Sequence, residues 1–273
     1  MTRLIDLVAD LGEGFGAYRL GDDEALLGVL SSANVACGFH AGDPDVMDAT
    51  VSTCRRLGVA VGAHPGFADL RGFGRRTIEM TSDEVRRDVL YQLGALSAFT
   101  RAHGVALEHV TPHGRLGNLT MTDPVYATGV VDAIAQFDPE LPVLTPAGVI
   151  VDLARERGLR VANLLFADRA YNADGTLVSR REPGAVLHDP AQILDRLAQF
   201  IERGTLPTIA GTELTLEADS ILVHGDTPGS VEIARQVRAR LEASGALIRP
   251  LREVLAARSD LRPGTIPALP RVR

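Results

Sequence analysis

Short apolar runs alternate with longer segments of helical period along the chain, and this alternation restricts the possible fold more than any other feature. The runs are LIDLVADL (4–11), SANVACG (32–38), VAVGAHP (59–65), ALEHVTPHG (106–114), LPVLTP (141–146), RVANLLFA (160–167) and SILVHGD (220–226). Each has the length and composition of a strand buried on both faces, and the intervening segments are long enough for crossover helices. Repeated βα units of this kind lay parallel strands side by side. Over 82–103, Val85, Val89, Gln92, Leu93, Leu96 and Phe99 mix i+3 and i+4 spacings, which predicts a helix with Ser82 as its N-cap. A second helix is expected over 145–158. A third is expected over 227–245, opened by Thr227 and Pro228 and closed by Gly245. We expect one α/β barrel domain over residues 1–260 and a loosely ordered tail, rich in proline and arginine, over 261–273.

A chain of 273 residues with 45% hydrophobic content can fill the core of such a barrel. The net charge of −7 argues against nucleic acid and anionic membrane as partners, because both need a basic surface field. Neither a signal-peptide pattern nor a run of about 20 apolar residues occurs, so a cytoplasmic protein is expected. The two cysteines, Cys37 and Cys54, read as reduced, structural thiols.

In a parallel barrel the C-terminal strand ends share one rim, and the loops there build the site. Polar residues recur at those ends. Asp10 and Glu13 leave the first strand, Asn34 and His40 the second, His64 the third, His113 and Asn118 the fourth, and His224 and Asp226 the seventh. Glycines beside them allow backbone to approach a small ligand. An isolated histidine at a strand end is commonly structural; recurrence at one rim points to a shared site.

Six segments carry a resemblance: DLGEGFGAYRLGDDEALL, SSANVACGFHAGDP, GVAVGAHPGFADLRGFGRR, TPHGRLGN, FADRAYNADGTLVSRREPGAVLHD and VHGDTPGSVEIAR. Together, from about residue 4 to residue 248, they resemble the LamB/YcsF family. The resemblance implies a seven-stranded (β/α) barrel of the glycoside hydrolase/deacetylase type. It also implies 5-oxoprolinase chemistry, the opening of the lactam 5-oxoproline to L-glutamate with ATP hydrolysis, in company with partner subunits B and C. ATP would act as co-substrate together with Mg.

A lactam amide resists water, so coupling to ATP suggests phosphorylation of the amide oxygen before water attacks the carbon. The base for that water is sought among Asp10, Glu13, His64 and His113, with His40 also a candidate. Asn34, His40, Arg75 (or Arg76) and Asn118 are candidates for holding the substrate carboxylate or the phosphate. No Walker-type loop occurs. His224, Gly225 and Asp226 open GDTPGS (225–230) beside an expected helix N-terminus, either an anion site or a plain helix cap. An alternative reading is a metal-dependent, deacetylase-like hydrolase with Asp10, His40 and His64 as ligands.

The chain departs from the family pattern at four positions. Val8 stands where the family's DLN has asparagine. Thr111, Arg115 and Gly117 stand where KPHGALYN has lysine, alanine and tyrosine. Either Arg115 supplies the lysine's charge from a new position, or the chain is a divergent, non-catalytic lactam-binding paralogue.

Overall fold

The computed structural model describes residues 3–225 and 229–261. Its first half runs β1 (Leu4–Leu11), α1 (Asp23–Leu27), β2 (Ser32–Ala36), α2 (Pro44–Leu57), β3 (Ala60–His64), α3 (Ser82–His103), β4 (Leu107–Val110), α4 (Gly114–Thr122) and α5 (Pro124–Phe137). The second half runs β5 (Val143–Thr145), α6 (Val149–Glu156), β6 (Val161–Phe166), α7 (Pro190–Arg203), β7 (Thr205–Pro207), β8 (Glu213–Thr215), β9 (Ser220–Leu222), α8 (Ser230–Ala243), β10 (Leu247–Ile248) and α9 (Leu251–Leu261). Strands β1 to β6 pair in sequence order, all parallel, and β9 joins β6 back to β1. The result is the expected closed barrel of seven parallel strands. The short β10 adds to β1 at Leu4 and Ile5, below the barrel proper, and β7 and β8 form a separate antiparallel pair.

Strand alternation separates two cores. Ile5, Leu7, Ala9 and Leu11 of β1 face the helices and join the large outer core, whereas Val8 joins an inner cluster with Leu144, Ala162, Leu164 and Leu222. Both faces of the sheet are therefore buried, which is why its strands read as almost continuous apolar runs. Leu251 and Leu255 of α9 belong to the inner cluster and fill the N-terminal end of the barrel. Val8 thus packs in the barrel interior, beneath the site.

Asp6 points inward lower in the barrel. Its carboxylate accepts hydrogen bonds from Ser31 and Ser32 at 2.7 Å and from Ser220 at 2.6 Å. Burial outweighs these bonds and pushes its pKa up to about 6.

Three local expectations need correction. The N-cap of α3 is Thr81, not Ser82, because Thr81 and Glu84 form a reciprocal capping box. The fourth strand ends at Val110 instead of continuing to residue 114, since Gly114 adopts φ 50° and starts α4. The third helix begins at Ser230 after Gly229; the expected caps Thr227 and Pro228 lie outside the described residues. The tail from 262 to 273 also lies outside them, and Leu261 closes α9. Cys37 and Cys54 are both free and buried, and burial pushes each thiol up to about 12. Among the described residues no helix is long and apolar enough to cross a membrane.

Candidate active site

A cavity of about 790 Å³ opens where the barrel strands end. Leu144, Leu164 and Leu222, from the top of the inner core, form its apolar floor. One wall carries Asp10, Glu13, His64, Thr111 and His113; the other carries Arg180 and His224, with Arg75 and Arg115 at the edge.

A chain of hydrogen bonds builds the acidic wall. His109 Nε2 donates to Asn34 Oδ1 at 2.7 Å, and the Asn34 amide donates to Asp10 at 2.9 Å. His64 Nε2 lies 3.4 Å from the same Asp10 oxygen. Burial opposes charge on Asp10, but His64, His224 and the Asn34 amide outweigh it and hold the carboxyl below the ordinary range. Burial likewise opposes charge on His64, while Asp10 and Glu13 raise its pKa. His109 is neutral, with burial pushing it down to about 3.

Two carbonyls fix tautomers. His64 Nδ1 lies 2.7 Å from the Thr111 carbonyl and His113 Nε2 lies 2.9 Å from the Phe73 carbonyl. A carbonyl only accepts, so both nitrogens carry protons. Phe73 presents that carbonyl from a left-handed conformation, φ 53°, rare for a bulky residue. Beyond them, His113 Nδ1 stands 3.0 Å from His64 Nε2 and 3.4 Å from Glu13 Oε1, and Glu13 Oε1 stands 3.1 Å from His40 Nε2. The rings of His40 and His113 stack at 3.6 Å. Glu13, His40, His64 and His113 thereby bring four potential ligand atoms within 4.8 Å of one another, a set that could hold a cation. It differs from the expected ligands, because Asp10 stands beside the cluster and Glu13 and His113 complete it.

The opposite wall rests on Asp168, which accepts from His224 Nδ1 at 2.7 Å. Arg180 can only donate, and it directs a guanidinium N–H at His224 Nε2 across 2.9 Å. Buried Arg169 donates to the Val178 and Ala185 carbonyls and so folds the 167–189 loop that carries Arg180.

The expected site residues therefore divide. Asp10, Glu13, Arg75, His64, His113, Asn118, His224 and Gly225 line the cavity. Asn34 and His40 are fully buried behind its wall, where they contact Asp10 and Glu13 and do not themselves line the cavity. Asp226 lies outside the described residues. Arg75 packs its guanidinium over Phe73, whereas Arg76 is paired with buried Asp69. Thr111 lines the cavity with a buried hydroxyl that has no hydrogen-bond partner. Arg115 donates to Thr77 at 2.8 Å, and at Gly117 a Cβ would meet the Pro112 carbonyl at 2.5 Å. Sequence reasoning missed His109, Asp168 and Arg180. Strand alternation backwards from His113 through Thr111 would have found His109.

Comparisons with known proteins cover the same barrel. The LamB/YcsF family model matches residues 5–256. The chain is 54% identical to a Mycobacterium avium protein named as the A subunit of 5-oxoprolinase, across 90% of this chain and 98% of that one. It is 49% identical to a Natranaerobius thermophilus protein of the same name, across 91% and 97%. Among solved structures, the lactam utilization protein from Thermus thermophilus superposes with a TM-score of 0.85 at 42% identity, covering 91% of this chain and 99% of that one. Matched in sequence and in three dimensions over most of its length, the chain belongs to the LamB/YcsF family.

Proposed function

We propose that this chain is the A subunit of an ATP-dependent 5-oxoprolinase, which opens the cyclic amide 5-oxoproline to L-glutamate in the cytoplasm together with partner subunits B and C. The names of its relatives support lactam cleavage. The observation that carries the reading is a cavity lined both by an ionised carboxylate, Asp10, and by the guanidinium groups of Arg75, Arg115 and Arg180.

The chemistry requires both. ATP, as its Mg complex, supplies the phosphoryl group that converts the lactam oxygen into an activated phosphate ester. Water then adds to the ring carbon and gives up a proton, for which Asp10 is the acceptor; its position is held by Asn34 and, through Asn34, by His109. Protonation of the ring nitrogen breaks the C–N bond and leaves an acyl phosphate, which a second water hydrolyses to glutamate and inorganic phosphate. Arg180, oriented by the Asp168–His224 pair, and Arg115 meet the negative charge of carboxylate and phosphoryl groups.

The test is reconstitution. Glutamate and ADP formation from 5-oxoproline and ATP is expected when subunits B and C are added, with little turnover by the isolated chain. Full turnover without them would remove the multi-subunit part of the reading. An inactive complete assembly would favour the lactam-binding paralogue.

A further inference from the structure

Beside Asp10, four side chains bring their ligand atoms within 4.8 Å of one another. Glu13, His40, His64 and His113 come from the loops after β1 and β2, the end of β3 and the start of α4. All four are buried, and Glu13, His64 and His113 reach the cavity wall.

The tautomers make this cluster unusual. His64 Nδ1 and His113 Nε2 are committed as donors to backbone carbonyls. Their other nitrogens stand 3.0 Å apart, a contact that needs either a proton or a metal ion between them. Glu13 Oε1 adds a carboxylate oxygen 3.4 Å from His113 Nδ1 and 3.1 Å from His40 Nε2.

We propose that Glu13, His40, His64 and His113 bind one divalent transition-metal ion. A cation held at about 2.0–2.1 Å separates neighbouring ligands by about 2.9–3.4 Å; three of the pairs, at 3.0, 3.1 and 3.4 Å, fall in that interval, and all four atoms lie within 4.8 Å of one another. Three imidazoles and one carboxylate select zinc, cobalt, manganese or iron(II) over magnesium and calcium, which prefer oxygen. The N–H groups donated to the Thr111 and Phe73 carbonyls are the outer-sphere contacts that orient metal-binding histidines. His40 Nδ1 has no such partner, so His40 is the weakest of the four ligands. Thr111 and Phe73 thereby acquire a role as supports of the site. Metal binding by these four residues does not depend on the reaction assigned above.

The experiment is direct binding to the purified full-length chain, treated with chelator and desalted. Titration with Co²⁺, followed by visible absorption, is expected to saturate at one ion per chain, and Zn²⁺ to displace it and raise the melting temperature. His113→Ala and Glu13→Gln should each weaken Co²⁺ binding by roughly a hundredfold, and His40→Ala by less. His103→Ala, at a surface pair with Asp48, serves as the control and should change nothing. If His113→Ala fails to fold by circular dichroism, the nearly isosteric Glu13→Gln carries the test. Absence of saturable Co²⁺ binding below millimolar concentration, or binding undiminished in Glu13→Gln, would overturn the proposal.

Discussion

The imidazole of His109 occupies the space that a side chain at Gly62 would require. A Cβ on Gly62 would fall well inside van der Waals contact of His109 Nε2, the nitrogen that donates to Asn34. Gly62→Ala is therefore expected to displace the ring, cost about 1–3 kcal/mol of stability, and loosen the Asn34–Asp10 link. Chemical denaturation and activity of the reconstituted complex should report both losses. Full activity with lowered stability would mean that His109 only fills the barrel.

Asp10→Asn keeps shape and removes the proton acceptor. The reconstituted activity should fall by roughly two to four powers of ten, and the melting temperature should also fall, because a carboxyl held below its ordinary range stabilises the fold when ionised. A loss below tenfold would reassign the base, with Glu13 next in line.

If Arg115 supplies the charge of the lysine that the family pattern carries at position 111, Arg115→Ala should lower kcat of the assembled enzyme by roughly a hundredfold, and adding Thr111→Lys should recover part of it. Unchanged turnover would leave Arg115 with its Thr77 bond and no catalytic part.

Asp6 gives a pH signature in stability. Its folded-state pKa of about 6 exceeds the ordinary value of 3.8, so the folded state holds the proton more tightly than the unfolded one. Stability from this group is full below about pH 4 and is lost as pH rises through 6, on the order of 3 kcal/mol. Asp6→Asn should therefore melt higher than the parent at pH 7.5, with the difference shrinking towards pH 4. A pH-independent difference would contradict the burial argument.

The barrel strands were legible because strands buried on both faces leave apolar runs, and helical crossovers leave their own period. The β7–β8 pair and β10 left no such mark because none of these strands is buried throughout, unlike the comparably short β5 and β9. Extending the fourth strand to residue 114 failed because a left-handed turn at Gly114 is a conformation, not a hydrophobic pattern. Within the site, Asp10, His64 and His113 stood out as polar residues at strand exits. His109 was hidden inside a strand, where a neutral buried histidine looks like core. Asp168 and His224 are 56 residues apart and meet only because β6 and β9 are neighbours, an adjacency that skips the β7–β8 hairpin.

The placement of α9 makes the barrel a cup instead of a tube. With Leu251 and Leu255 as its stopper, solutes have no passage through the strand N-terminal end. Any ligand of the cavity must therefore enter and leave by the same arginine-lined mouth, and in the proposed reaction product would have to clear that mouth before the next reactant could enter. A partner protein seated on it would govern arrival and departure with a single contact.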